Sequence, residues 1–126
     1  FRDAACNETE NYSKAGGNTY MYYWEYPSAF DKYGACHAVE LAYIFNNLDE
    51  TIFTGDNPDP NLAKKVQEAW VNFAKTGDPS IEGTKWPKYD SKKRATMFIN
   101  EEWSVKNDPL SEQRKLIEKL IKYDIK

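Results

Sequence analysis

The chain of 126 residues is 40% apolar and carries 17 basic and 20 acidic side chains for a formal net charge of −3. It is long enough to bury one modest core, and without a basic stripe to grip a phosphate backbone, nucleic acid is excluded as a partner. It has no run of 18 apolar residues, which excludes a membrane-spanning helix. The aromatic share of 15% comes from four tryptophans, nine tyrosines and six phenylalanines, and so many rings imply a well-filled core or a surface that faces other protein. The first residues lack the charged start and short apolar core of a signal peptide. They read instead as the interior of a helix with no capping signal before Phe1, as expected of a piece cut from something larger. The compartment stays open, because targeting segments would lie upstream.

In chain order, residues 1–15 suggest a helix closed by Gly16-Gly17, where a glycine can take the left-handed conformation. Thr19 to Tyr26 is aromatic on both alternating faces, as expected of a strand covered on two sides within a mostly parallel sheet, and Pro27 ends it. A loop of small and polar residues leads to His37, after which Val39 to Phe45 has the pattern of a short buried helix or strand, its place after Gly34 and the loop favouring the helix. Thr54 to Pro60 is a breaker cluster whose Asp59-Pro60 caps and opens a helix over Asn61 to Thr76. Leu62, Val66, Ala69, Trp70 and Phe73 form its apolar stripe, and Gly77 stops it. Trp86 to Asp90 is extended, and Thr96 to Ile99 is a short strand expected to pair with Trp103-Ser104-Val105 across Asn100-Glu101-Glu102. Asp108-Pro109 opens a last helix, with Leu110, Leu116, Ile117, Leu120 and Ile121 as its apolar face.

The chemistry-bearing residues are few. His37 is the only histidine, placed between a strand-like run and a helix-like segment, where a general base would sit in an α/β sheet; the residues alone also allow a hydrogen-bonded loop histidine. Glu40, three residues on, would lie on the histidine's side of a helical turn, either as an ordinary pairing or capping carboxylate or as a support for the site. None of the six serines, Ser13, Ser28, Ser80, Ser91, Ser104 and Ser111, lies in a Gly-x-Ser-x-Gly elbow. Cys36 adjoins His37 in poor geometry for activation, and Cys6 and Cys36 are expected as free thiols. One histidine and two distant thiols do not make a metal site. No nucleotide-binding glycine loop is present, and the rings of Tyr20, Tyr22, Trp24 and Tyr26 read as core, not as a base-stacking platform. Asn7-Glu8-Thr9 and Asn11-Tyr12-Ser13 fit the glycosylation pattern by chance.

Tyr20 to Tyr26, Gly34-Ala35-Cys36-His37-Ala38-Val39-Glu40-Leu41 with its continuation to Leu48, Ala69-Trp70-Val71-Asn72-Phe73-Ala74-Lys75-Thr76-Gly77-Asp78-Pro79, Trp86-Pro87-Lys88-Tyr89 and Asn107-Asp108-Pro109 form five ordered blocks. In this order they resemble the C-terminal part of type B carboxylesterases, nearest to bacterial para-nitrobenzyl esterase-like members, over almost the whole chain. The resemblance implies that residues 1–126 are the C-terminal portion of an α/β-hydrolase fold, with helices packed on a few strands of a mostly parallel sheet. It implies a serine hydrolase of carboxylic esters with neither metal nor organic cofactor, in which His37 matches the family's catalytic histidine. Glu40 looks like the glutamate that follows it and supports the site from behind. Cys36, where a bulky aromatic is often found, and Ala42, where a proline often follows Glu-Leu, depart from the pattern and bear on pocket shape.

The nucleophilic serine, the acidic triad member and the oxyanion donors would then belong to the remainder of the same polypeptide, and a small-molecule ester would be the substrate. The isolated chain is expected to be inactive. Two other readings are a non-catalytic cholinesterase-like interaction module or inactive remnant, and an isolated chain whose sheet edge and apolar faces drive self-association.

Overall fold

Asp59 shows how local chemistry sets the longest element. Its side chain accepts from the backbone N–H of Asn61 at 2.8 Å and of Leu62 at 3.2 Å, satisfying two donors that a helix start leaves unpaired. The helix (α4, Pro60–Thr76) runs to Gly77, whose φ of 75° lets its N–H return to the Phe73 carbonyl. The structure, a computed structural model, describes residues 2–30, 32–49 and 51–124. The other elements in chain order are α1 (Arg2–Lys14), β1 (Met21–Trp24), α2 (Val39–Ile44), α3 (Thr51–Thr54), β2 (Ala95–Ile99), β3 (Ser104–Asn107) and α5 (Ser111–Asp124).

The three strands form one sheet in the order β1-β2-β3. Strand β2 is central and all five of its residues are buried. It pairs in parallel with β1, Met21 opposite Thr96 and Trp24 opposite Ile99. With β3 it pairs antiparallel, Phe98 opposite Ser104, so the expected hairpin across Asn100 to Glu102 is present. The sheet is therefore mixed. Fully buried Val39 and Tyr43 of α2, Leu62 and Val66 of α4, and Met97 and Ile99 of β2 make the centre of the core. Each such side chain contributes about 1.5–3 kcal/mol of apolar burial.

Three expectations need correction. The aromatic strand is shorter than Thr19 to Tyr26 and is not covered on both sides. Of its rings only Trp24 is buried, while Tyr23 is exposed and lies over Phe98 at 5.1 Å between ring centroids. The reason is alternation along the strand: Tyr22 and Trp24 share the face that meets Trp70 of α4 and Tyr43 of α2, and Tyr23 lies on the opposite one. Thr54, expected as the first residue of the breaker cluster, is instead the last residue of helix α3, and its Oγ1 donates to the Leu48 carbonyl at 3.0 Å.

The last helix does not bury the face its pattern marks: Leu116, Ile117 and Leu120 are exposed and Arg114 is buried. The side chain of Ile121, part of the same expected face, lies outside the described residues. Arg114 donates through Nε and Nη2 to the two oxygens of Asp108 at 3.2 and 3.0 Å, and through Nη1 to Glu118 Oε1 at 2.7 Å. Asp108 also faces Arg94 at 4.0 Å, and Arg94 pairs with Glu10 of α1 at 2.7 Å. A line of alternating charge thus joins α1, the sheet ends and α5. A guanidinium satisfied by two carboxylates can be buried where an unpaired charge cannot.

Candidate functional site

His37 occupies an exposed turn directly before α2. The turn is made by Ala38, whose φ of 71° and ψ of 1° are left-handed, and the helix it opens has no side-chain cap. The Val39 N–H reaches back to the Cys36 carbonyl at 3.3 Å and the Leu41 N–H to the Ala38 carbonyl at 3.2 Å. Below the turn α2 is nailed down by Val39, Ala42 and Tyr43, all buried. The Tyr43 ring sits 5.3 Å from that of Trp24 and 5.6 Å from that of Tyr26. Burial first, then the neighbouring Tyr26 and Asp59, pushes the Tyr43 hydroxyl up to about 12, so it stays neutral.

The loop before His37 is fastened at several points. The Ser28 N–H donates to the Gly34 carbonyl at 2.8 Å, and Ser28 Oγ accepts from the Phe30 N–H at 3.2 Å. The Ala29 N–H donates to the Phe53 carbonyl of α3 at 3.0 Å. Gly55, at φ 68°, faces Ala29 so closely that a Cβ there would lie 2.3 Å from the alanine's. Only glycine fits that position.

Glu40, in the first turn of α2, is brought to β1: Tyr22 Oη donates to Glu40 Oε1 at 3.5 Å. Burial first, then the Glu40 charge and its hydrogen bond, raise the Tyr22 pKa above its ordinary value. No local signal marks this contact, because its partners are 18 positions apart and Tyr22 reads simply as a core ring. The Tyr22 ring meets Trp70 edge-on at 5.2 Å, Trp70 meets Trp86 at 5.9 Å, and Trp86 meets Trp103 at 5.9 Å. Just after His37, Ala38, Leu41, Ala42, Phe45 and Phe53 line an apolar cleft of about 300 Å³.

The thiols are free, Cys6 buried and Cys36 half-buried beside the core. Ser13 donates to the Tyr89 carbonyl and Ser80 accepts from the Trp86 N–H, so these hydroxyls fasten turns. Among the described residues no three His, Cys, Asp or Glu side chains gather as a metal site. Nor is any described helix long and apolar enough to cross a membrane. The arrangement offers one solvent-facing imidazole on a firmly seated turn with an apolar cleft beside it, a place for proton transfer to a neighbouring group.

Residues 1–117 match the carboxylesterase family. The chain belongs to that family. It is 42% identical over 84 residues to the para-nitrobenzyl esterase of Bacillus subtilis (strain 168), a match covering 64% of this chain and 17% of that protein. To acetylcholinesterase 1 of Caenorhabditis elegans it is 33% identical over 91 residues, covering 64% of this chain and 15% of that one. Among solved structures, a PNB esterase matches with a TM-score of 0.76 and 34% identity over 84% of this chain and 23% of its own. A thermophilic PNB esterase matches with a TM-score of 0.73 and 36% identity over 79% of this chain and 22% of its own. These relatives have the α/β-hydrolase fold, and the helices and small mixed sheet described above are part of that fold. The chain spans about a sixth of the length of the curated relatives it matches.

Proposed function

We propose that this chain is the histidine-bearing, C-terminal portion of a serine carboxylesterase and that His37 is its general base and acid. The reading is carried by one observation: the only imidazole of a carboxylesterase-family chain stands exposed on an anchored turn next to an apolar cleft. In the proposed cycle His37 takes the proton of a serine hydroxyl as the oxygen attacks the ester carbonyl, then returns it to the leaving alcohol. Water enters next, gives its proton to His37, and releases the acid while the proton returns to the serine. The serine, the acidic residue that orients the imidazole and the oxyanion donors come from the remainder of the same polypeptide, and Glu40 supports the turn. A small-molecule ester is the substrate.

The test joins the chain in frame to the rest of its esterase polypeptide and follows release of para-nitrophenol from a short acyl ester. The joined protein is expected to turn over, His37→Ala to lower kcat by about 10³-fold or more, and the 126-residue chain alone to be silent. Turnover by the chain alone that His37→Ala abolishes would overturn the need for the remainder. Unchanged activity in joined His37→Ala would overturn the histidine's role.

A second reading, self-association of the isolated chain, is favoured by the exposure of Phe45 at 73%, Ile52 at 61%, Leu116 at 58% and Leu120 at 57%. Light scattering over a range of concentrations decides it, since a mass that stays at one chain counts against it.

A further inference from the structure

Helix α2 is unusual in how it begins. It has only six residues, starts from a left-handed alanine, and receives no side-chain cap, although the first turn of a helix leaves several N–H groups without partners. A helix this short has little stability of its own. Its far side is secured by Val39, Ala42 and Tyr43, but the polar edge that carries the His37 turn is tied to the sheet by a hydrogen bond between Tyr22 and Glu40. We propose that Tyr22 is a positioning residue for His37: its hydroxyl holds Glu40, Glu40 holds the uncapped first turn of α2, and the turn presents the imidazole in one orientation.

Three features support this. The Tyr22 ring is itself immobilised, edge-on against Trp70, so its hydroxyl is a fixed donor. Glu40 is half-buried and sits in the first turn of α2, two residues beyond the left-handed Ala38 that follows His37. At 3.5 Å the contact is longer than an ordinary O–H···O bond, but the Glu40 charge also acts on the Tyr22 hydroxyl, second only to burial in raising its pKa, so the two groups are coupled electrostatically as well. The proposal rests on the reading of His37 as the base, but it concerns the order of the turn, which can be measured without any ester being hydrolysed.

The experiment is ¹⁵N relaxation on the 126-residue chain, comparing wild type, Tyr22→Phe, Glu40→Gln and Tyr20→Phe. Tyr22→Phe keeps the ring on Trp70 and removes only the hydroxyl. Tyr20→Phe removes a hydroxyl from the same strand, two residues away, whose ring packs on Phe73 instead. Order parameters of the His37, Ala38 and Val39 amides are expected to fall from about 0.85 toward 0.6 in Tyr22→Phe and Glu40→Gln, and to stay put in Tyr20→Phe. In the joined enzyme Tyr22→Phe should lower kcat about tenfold with KM unchanged. Order parameters that hold in Tyr22→Phe, or fall equally in Tyr20→Phe, overturn the proposal. Failure of the catalytic reading shows separately, as activity that survives His37→Ala.

Discussion

Arg114→Met tests whether α5 is held by a charge where its sequence marks an apolar face. The substitution keeps an unbranched apolar stem and removes a guanidinium that makes two bonds to Asp108 and one to Glu118. Fully buried charge-assisted bonds are worth about 1.5–3 kcal/mol each. Here the acceptors are partly wet, with the Asp108 side chain 29% and the Glu118 side chain 41% exposed. Water therefore replaces much of what is lost, and we expect about 2 kcal/mol in all, roughly a 30-fold rise in local opening of α5. Asp108→Asn should cost about 1 kcal/mol, and the double variant should show a coupling of about 1 kcal/mol. Native-state amide hydrogen exchange reads this directly, with α5 amides compared against those of β2 and with Lys115→Met as an exposed control. If α5 protection in Arg114→Met stays within about twofold of wild type, the helix is held by its leucines and isoleucines and the reasoning fails.

Two further outcomes follow from named contacts. Asp59→Ala removes the cap of α4 and should cost about 1 kcal/mol, about 4 °C in Tm for a chain of this size, whereas Asp59→Asn should cost little; thermal denaturation followed by circular dichroism checks both. The hydrogen bonds from Arg114 hold the Asp108 carboxyl below its ordinary pKa. Its contribution is therefore present above the unfolded value near 3.9 and lost as pH falls through the folded one. Protection of α5 should thus hold above the unfolded value and weaken progressively as pH falls below it, and Asp108→Asn should flatten that dependence.

What could be read from the residues was what they decide locally. Asp59-Pro60 and Gly77 bound α4 because a cap needs only neighbours. The turn between β2 and β3 was legible for the same reason. Helix α5 was legible as a helix but not in its orientation, since periodicity tells which residues share a face and not what that face will meet. Arg114 is buried because Asp108 and Glu118 surround it. Thr51 to Thr54, rich in β-branched residues, lacks helix propensity, and its single turn depends on contacts to Leu48 and Ala29. In the candidate site, His37 stood out as the sole imidazole, whereas Tyr22 gained its interest only when the fold set its hydroxyl against Glu40.

The parallel register of β1 and β2 has a consequence for how the chain is made. Thr96 pairs with Met21 yet follows it by 75 positions, so at about 5–20 residues per second the ribosome needs roughly 4–15 s to supply the second strand after the first. The β2–β3 hairpin closes in about 1–10 μs once both strands exist. Translation therefore sets the earliest time at which β1 can gain its partner and the sheet can close. Until then the rings of Tyr22 and Trp24 lack the strand they pair with and are open to capture by a chaperone or by another nascent chain.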